Sequence, residues 1–360
     1  MKEERSERIL RLHNREGKGI NIRLRKYQEG DEQGMISCIR DEYADTYFRQ
    51  EFYDAGYIRR MARGGKITFL MAVTDKGEVA GMMVLKRFYP RESMCEIASQ
   101  IFRKKYRGYG LAMPFFEYGM RFVMERTYTS ALCLPVMFHN VTQRLLLRLG
   151  MHATGLMLNV FDMGCVTHSY DNGRNQKHSQ GIQIRAMDKQ DAGILYIPDE
   201  HLVFCQSIYG TLGVESRFAG TDSQSEETES HGEFPACSEI EYTNNDVHKS
   251  LVIRINRIGR DLEERIRQLF SQYPLRGRQT AVVLLNCNDA GAVWGYEILK
   301  EMSFFFAGLR PLCGEWEYMV LHHSGEVKIY LEDYSTSGEF DNLVRYIESC
   351  YKRRIDTTSS

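Results

Sequence analysis

The sequence predicts an α/β protein with a mixed central sheet, in two related halves. Three observations carry this. INIRLRKY, from Ile20, alternates apolar and charged residues as a half-buried strand does. DKGE (Asp75 to Glu78) is a tight turn between two apolar runs, which makes an antiparallel hairpin. The order strand, helix, strand, helix, strand then occurs twice, through LCLPVMFHNVTQRLLLRLGM and through VVLLNCNDAGAVWGYEILKEMSF. A chain of 360 residues also exceeds one average domain.

The first 19 residues are polar and read as a loosely held lead or a short helix. After the strand at Ile20, Gly30-Asp31 opens a helix with Met35, Ile36 and Ile39 on one face. DEYADTYFRQEFYDAGYIRRMARGG reads as helix, loop, helix. Ile67 to Asp75 and Val79 to Tyr89 form the hairpin, and Met94 to Phe102 adds a strand. A helix is predicted from Leu111 to Thr127, a buried strand from Thr129 to Val136, a helix from Asn140 to Leu149 and a strand from Gly155 to Met163. This gives a first domain over 20–167.

HSYDNGRNQKHSQ (168–180) has no periodicity and reads as a linker to a second domain, 181–360. That domain starts with a strand at Ile182 and a helix over Pro198 to Leu212. The acidic, Ser-rich stretch 221–234 lacks apolar anchors and reads as a flexible loop. Strands at Ser250–Asn256, Thr280–Asn286, Phe304–Gly308 and Glu315–His323 alternate with helices at Asp261–Tyr273 and Gly291–Met302, and a last helix covers Glu339–Arg354.

Composition sets outer limits. With 43% hydrophobic and 26% charged residues the chain is an ordinary globular one. Lys and Arg number 47 against 48 Asp and Glu, so no net field favours nucleic acid or an anionic membrane. The charged N-terminus has no secretory h-region, and no apolar run is long enough to span a bilayer. Nine scattered cysteines without a CxxC argue against a zinc site or disulfide framework. The expectation is a reduced, cytoplasmic protein without a metal.

The segment richest in chemistry is Lys105-Tyr106-Arg107-Gly108-Tyr109-Gly110-Leu111-Ala112, between a strand and a helix. Glycines there let the backbone turn and present successive N–H groups at a helix N-terminus, which suits a pyrophosphate. Arg103, Lys104, Lys105 and Arg107 gather positive charge at the same corner. The dinucleotide-binding pattern fits poorly, since the third glycine and the acidic residue ending the next strand are missing.

KYRGYGLA resembles the Arg/Gln-x-x-Gly-x-Gly/Ala loop of the GNAT N-acyltransferase family, with Lys105 in the Arg/Gln position. His139-Asn140, followed by LLLRLGM, resembles that family's Asn…Leu-Gly-Phe element. The resemblance covers roughly residues 20–163. DEYADTYFRQEFYDAGYI, IPDEHLVFCQSIYGTLG and FFFAGLRPLCGEWEYMVL are similar to a tandem-GNAT subset often fused to anti-sigma-type ATPase domains, a module absent from this sequence. The resemblance implies a pair of GNAT folds, with acetyl-CoA or another acyl-CoA as cofactor and a small-molecule or peptide amine as acceptor. It places Phe102, Arg103, Lys105, Arg107, Gly108, Tyr109, Gly110, Leu111, Ala112, His139, Asn140 and Gln143 at the cofactor.

Acyl transfer to an amine needs a deprotonated amine, a polarised thioester and a proton for the thiolate. Glu96, in CEIASQIF, is the candidate base, read alternatively as a charge on the solvent face of the sheet. A backbone N–H at Phe102 or a neighbour is implied as donor to the thioester carbonyl. Many relatives hold a tyrosine proton donor where this chain has Leu146. Gln143 and His139 could stand in, or serve as a helix cap or polar contact. Cys133 reads as a core cysteine. His322 and His323 are adjacent on a strand, so they point to opposite faces and suit no metal. Tyr43, Tyr47, Phe48, Phe52, Tyr53 and Tyr57 either line an acceptor pocket or pack under the helices. The second domain lacks such a glycine loop, so its expected use is to cover the acceptor side or to form a homodimer. The competing expectation is a non-catalytic GNAT-fold module that binds acyl-CoA or another ligand.

Overall fold

The computed structural model describes residues 7–87, 93–126, 128–162, 177–219, 234–314 and 316–358. The predicted α/β class with a large mixed sheet is what the chain forms. Two compact units result, one of the described residues through Cys133 and one of those from Leu134 onward. The sequence reading puts its boundary instead at 168–180, a stretch mostly outside the described residues.

In the first unit the strands run β1 (Arg8–His13), β2 (Gly19–Lys26), β3 (Ile67–Thr74), β4 (Val79–Arg87), β5 (Met94–Phe102) and β6 (Ser130–Cys133), neighbours in that order. All pairs are antiparallel except β5–β6. Helices α1 (Glu32–Tyr43) and α2 (Ala55–Arg63) follow β2, and α3 (Ala112–Met124) follows β5. The core between sheet and helices holds Met35, Ile39, Phe52, Phe69 and Met82, all at most 1% exposed.

β1 corrects the reading of residues 1–19. Arg8–His13 pairs with Gly19–Leu24 around a turn in which the Asn14 side chain accepts from the Lys18 N–H at 2.8 Å, with Gly17 at φ 78°. Only Leu10 of this strand is buried and Ile9 is 68% exposed, so apolar periodicity was too thin to reveal it.

The second unit opens with α4 (Val141–Arg148) and β7 (His152–Phe161). Its main sheet runs β8 (His178–Ala186), β7, β14 (Phe305–Cys313), β15 (Trp316–His323), β13 (Thr280–Asn286), β12 (Ser250–Arg257) and β11 (Glu239–Asn245). β12 and β13 are parallel, joined through α6 (Leu262–Gln272). Helix α7 (Ala292–Glu301) connects β13 to β14, and α8 (Glu339–Thr358) closes the chain. A separate parallel pair, β9 (Asp191–Tyr196) and β10 (Glu215–Ala219), flanks α5 (Asp199–Leu212) in sequence. Strands β9, β10 and β11 were not anticipated. β11 is exposed at most positions and so carries no apolar alternation. The acidic stretch 221–234 lies almost wholly outside the described residues. Among the described residues no helix is long and apolar enough to cross a membrane.

The expected linker ends earlier than 180, because His178–Gln180 already belong to β8. Lys177 precedes that strand at 2% exposure. Its ammonium donates to the Lys249 carbonyl at 2.7 Å, to Thr280 Oγ1 at 2.9 Å and to the Arg278 carbonyl at 3.2 Å. Burial pushes its pKa down to about 7, with Asp162 opposing and Arg278 adding to the shift. The unfolded chain therefore binds more protons between that value and the usual lysine value of about 10.4, and stability rises with pH across this window. We expect Lys177→Met to flatten that rise. Denaturant titrations of both proteins near about pH 7 and about pH 9 check it, and parallel pH dependences would contradict it.

Candidate functional site

The site begins with an irregularity in β5. Met82 pairs with Ile101 and Val84 with Ala98, so Ser99 and Gln100 together oppose Met83. This is a β-bulge, and Ser99 takes φ 48° within it. Two contacts brace it. Tyr47 Oη donates to Ser99 Oγ at 2.7 Å, and Gln100 Nε2 donates to the Ala112 carbonyl at the start of α3 at 3.4 Å. Sequence reasoning missed Ser99 as a feature of the site and offered Tyr47 only as one of the aromatic cluster.

β5 pairs with β6 only over Met94–Glu96. Arg103 N–H donates to the Ala80 carbonyl of β4 at 3.0 Å. Strand alternation then turns the Phe102 N–H to the opposite edge, beyond the end of β6 pairing. The Phe102 ring packs on Phe115 of α3 at 5.8 Å between centroids, which ties strand end to helix start.

Beyond Phe102 the chain makes a 3-10 turn, Lys104–Tyr106, then Gly108 at φ 83° and Gly110 at φ 74°. L side chains strain at such angles, which is why glycine stands at both. A Cβ at either would meet no atom within 4 Å, so both glycines border open space. Tyr109 and Leu111 are buried and anchor the loop from beneath. Leu111 occupies the N-cap of α3 without a side-chain cap, which leaves the Ala112 and Met113 amides for another acceptor, since Pro114 has no N–H. The structure thus brings Phe102 to Ala112 together as one turn.

The positive charge expected at this corner is answered by carboxylates. Arg103 and Lys105 both pair with Glu78, and Tyr106 Oη donates to the same carboxylate at 2.5 Å. Arg107 pairs with Glu42, and Asp41 accepts from the Lys104 N–H at 2.5 Å. The bonds from Lys105 and Tyr106 hold the Glu78 carboxyl below its usual range. Three of the four cations therefore meet two carboxylates, Glu78 and Glu42, and an arriving anion must draw them away. We expect Glu78→Gln, which keeps the acceptor and removes the charge, to tighten the binding of inorganic pyrophosphate at this turn about threefold at low salt, with the gain shrinking as salt rises. Calorimetry at two ionic strengths checks this, and weaker binding would show that Glu78 orients the loop more than it competes for it.

Glu96 is not on a solvent face. It is 8% exposed and lies 3.6 Å from the Lys86 ammonium across the β4–β5 pair. Cys133 is buried, as expected of a core cysteine. Of the aromatic cluster, Tyr47 and Phe52 are buried and Tyr43, Phe48, Tyr53 and Tyr57 pack partly buried against the same core. Successive rings touch at 4.9 Å (Tyr43–Tyr47) and 4.7 Å (Tyr47–Phe48).

His139, Asn140 and Gln143 belong to the second unit. Asn140 Nδ2 donates to the Thr336 carbonyl at 3.2 Å, and Gln143 Nε2 to the Ser335 carbonyl at 3.0 Å. Gln143 is thus a buried polar contact, and an amide supplies no proton to a thiolate. Burial lowers the pKa of His139. Leu146 is fully buried. Among the described residues no group of three or more His, Cys, Asp and Glu side chains is placed to hold a metal ion.

No protein-family model and no curated protein matches the chain. Solved structures do, at low identity. A GNAT superfamily phosphinothricin acetyltransferase from Sinorhizobium meliloti, in complex with AcCoA, is 15% identical; the match covers 46% of this chain and 87% of that one, with a TM-score of 0.38. An N-acetyltransferase from Staphylococcus aureus Mu50 is 11% identical over 46% of this chain and 98% of its own, with a TM-score of 0.39. A ribosomal-protein-S5-alanine acetyltransferase from Vibrio fischeri is 8% identical over 46% and 93%, with a TM-score of 0.38. At these identities and scores the likeness assigns no activity to this chain.

Proposed function

We propose that the first unit binds acyl-CoA and transfers its acyl group, acetyl in the first instance, to the amine of a small molecule or peptide, as a GNAT-type N-acyltransferase. The observation that carries this is the turn from bulged β5 through Gly108 and Gly110 into an uncapped α3. The open space beside its glycines and the Ala112 and Met113 amides suit a pyrophosphate. The thioester would then lie along the β5 edge, where the Phe102 N–H is available to its carbonyl.

In the reaction the amine nitrogen bonds to the thioester carbon, the carbon–sulfur bond breaks, and the amine proton leaves. Glu96 is the group we assign to take that proton; its burial beside Lys86 makes it a fixed carboxylate, not a mobile surface charge. Leu146 carries no proton, so the thiolate takes one from solvent or from the incoming ammonium. The second unit is read as a degenerate relative of the first, without a glycine loop of this kind.

A second reading is a module that binds acyl-CoA without turning it over, and buried Leu146 in place of a proton donor favours it. Thiol release from acetyl-CoA across an amine panel separates the two. Turnover that falls at least about 100-fold in Glu96→Gln with CoA affinity kept supports the enzyme and its base. Binding without turnover on any amine supports the module, and unchanged turnover in Glu96→Gln removes the base assignment.

A further inference from the structure

The bulge in β5 decides which of its amides reach the open edge of the sheet. Before the bulge, the Arg87 N–H donates to the Lys66 carbonyl on the β3 side, so Lys86 and Val84 turn their backbone groups toward β5. Their partners Glu96 and Ala98 therefore face β4. After the bulge the alternation has slipped by one residue: Arg103 donates to β4 and Phe102 faces away. The side chains show the same slip. Ala98 and Ile101 pack against one core cluster, although strict alternation would put them on opposite faces. An unbulged β5 would turn the Phe102 N–H into the β4 ladder instead.

The extra residue needs support. Ser99 holds φ 48°, in the left-handed region, and a non-glycine residue stays there only where its surroundings over-determine it. Tyr47, between α1 and α2 in sequence, donates from Oη to Ser99 Oγ at 2.7 Å and is 2% exposed. It is a fixed post. Its N–H donates to Tyr53 Oη at 3.1 Å, and that hydroxyl donates to the Ala44 carbonyl at 2.8 Å. Its carbonyl accepts from Gln50 Nε2 at 2.8 Å, and its ring stacks on buried Phe52 at 27°. Backbone and ring are thus held from several sides, and the hydroxyl transmits that rigidity to the bulge.

We propose that Tyr47 is a positioning residue for acyl transfer: through Ser99 it holds the β5 bulge that turns the Phe102 N–H toward the thioester carbonyl. The proposal rests on the acyl-CoA reading of the first unit. The Tyr47 proton stays on the bond to Ser99, so this role adds no proton donor for the thiolate. Loss of the hydroxyl loosens the bulge and leaves the Gly108–Gly110 turn as it is. Carbonyl polarisation should therefore weaken while cofactor affinity holds.

The test is carbon NMR of the full chain with acetyl-CoA isotopically labelled at the thioester carbonyl, with steady-state kinetics and calorimetry of coenzyme A beside it. In the wild type the bound carbonyl signal should stand downfield of its free position, as a donated hydrogen bond requires. Tyr47→Phe, which keeps the ring, and Ser99→Ala, which keeps the Tyr47 hydroxyl, are each expected to remove at least about half of that displacement and to lower kcat about tenfold. The KM for acetyl-CoA and the dissociation constant of coenzyme A should stay within about twofold. The double variant should be no slower than either single one, because both remove the same bond. Full displacement and full kcat in Tyr47→Phe, or losses that add in the double variant, would overturn the proposal. So would a wild type that binds acetyl-CoA with its carbonyl at the free position, a result that leaves the pyrophosphate turn standing. A wild type that binds no acetyl-CoA overturns the acyl-CoA reading and this proposal with it.

Discussion

Gly108→Trp is expected to abolish acyl-CoA binding, with a loss of at least about 100-fold in affinity, while the fold persists. Two effects combine. At φ 83° a residue with a Cβ is strained by roughly 1–2 kcal/mol. Relief of that strain closes or reorients the turn and takes the Tyr109 and Gly110 amides out of line. The indole must also go somewhere, and the open space beside Gly108 is where the pyrophosphate is proposed to lie. No atom lies within 4 Å of the Cβ position, so the side chain leaves the backbone into open space. Calorimetry with acetyl-CoA and a thermal melt check both halves. Retained affinity in a folded variant would move the cofactor away from this turn.

The second large effect is on stability. β7 and β14 meet at a single partnered pair, Gly155 and Gly308. A Cβ on Gly308 would stand 2.3 Å from Gly155 Cα and 2.6 Å from the Thr154 carbonyl oxygen, and its φ is 108°. Both neighbours are backbone, so no rotamer change relieves the clash and the strands must separate. We expect Gly308→Ala to cost roughly 3 kcal/mol or more, at the severe end for one methyl group. Gly213→Ala is the internal control. It shares a left-handed φ of 66°, at the C-cap of α5, but has nothing within 4 Å, so about 1 kcal/mol is expected. Denaturant titrations of the three proteins give the comparison. Equal costs would mean that backbone conformation, not close strand approach, selects glycine at Gly308.

How far the sequence leads depends on where each signal lives. Strands such as Ile67–Thr74 and Thr280–Asn286 are legible because their apolar runs are buried almost throughout. The Gly108–Gly110 turn is legible because backbone conformation is written directly in residue type. The bulge at Ser99 is not, since a bulge exists only relative to a partner strand, and nothing in CEIASQIF fixes which β4 residue it opposes. Lys105 and its neighbours were read as a bare positive corner. Their partners Asp41, Glu42 and Glu78 come from α1 and the β3–β4 hairpin, distant in sequence from the loop. Lys177 was assigned to a linker because a lysine in a polar run signals solvent, and only the fold brings the Lys249 and Arg278 carbonyls to it.

The β5–α3 turn is proposed to hold the pyrophosphate of an acyl-CoA, and the roles given to Glu96 and the Phe102 N–H depend on it. The direct measurement is a calorimetric titration of the wild-type chain with coenzyme A and, separately, with pantetheine, which keeps the thiol arm and lacks the nucleotide and pyrophosphate. Coenzyme A should bind at least about tenfold more tightly, with an advantage that diminishes as salt rises. Equal affinity for the two, or no binding of either, would contradict it.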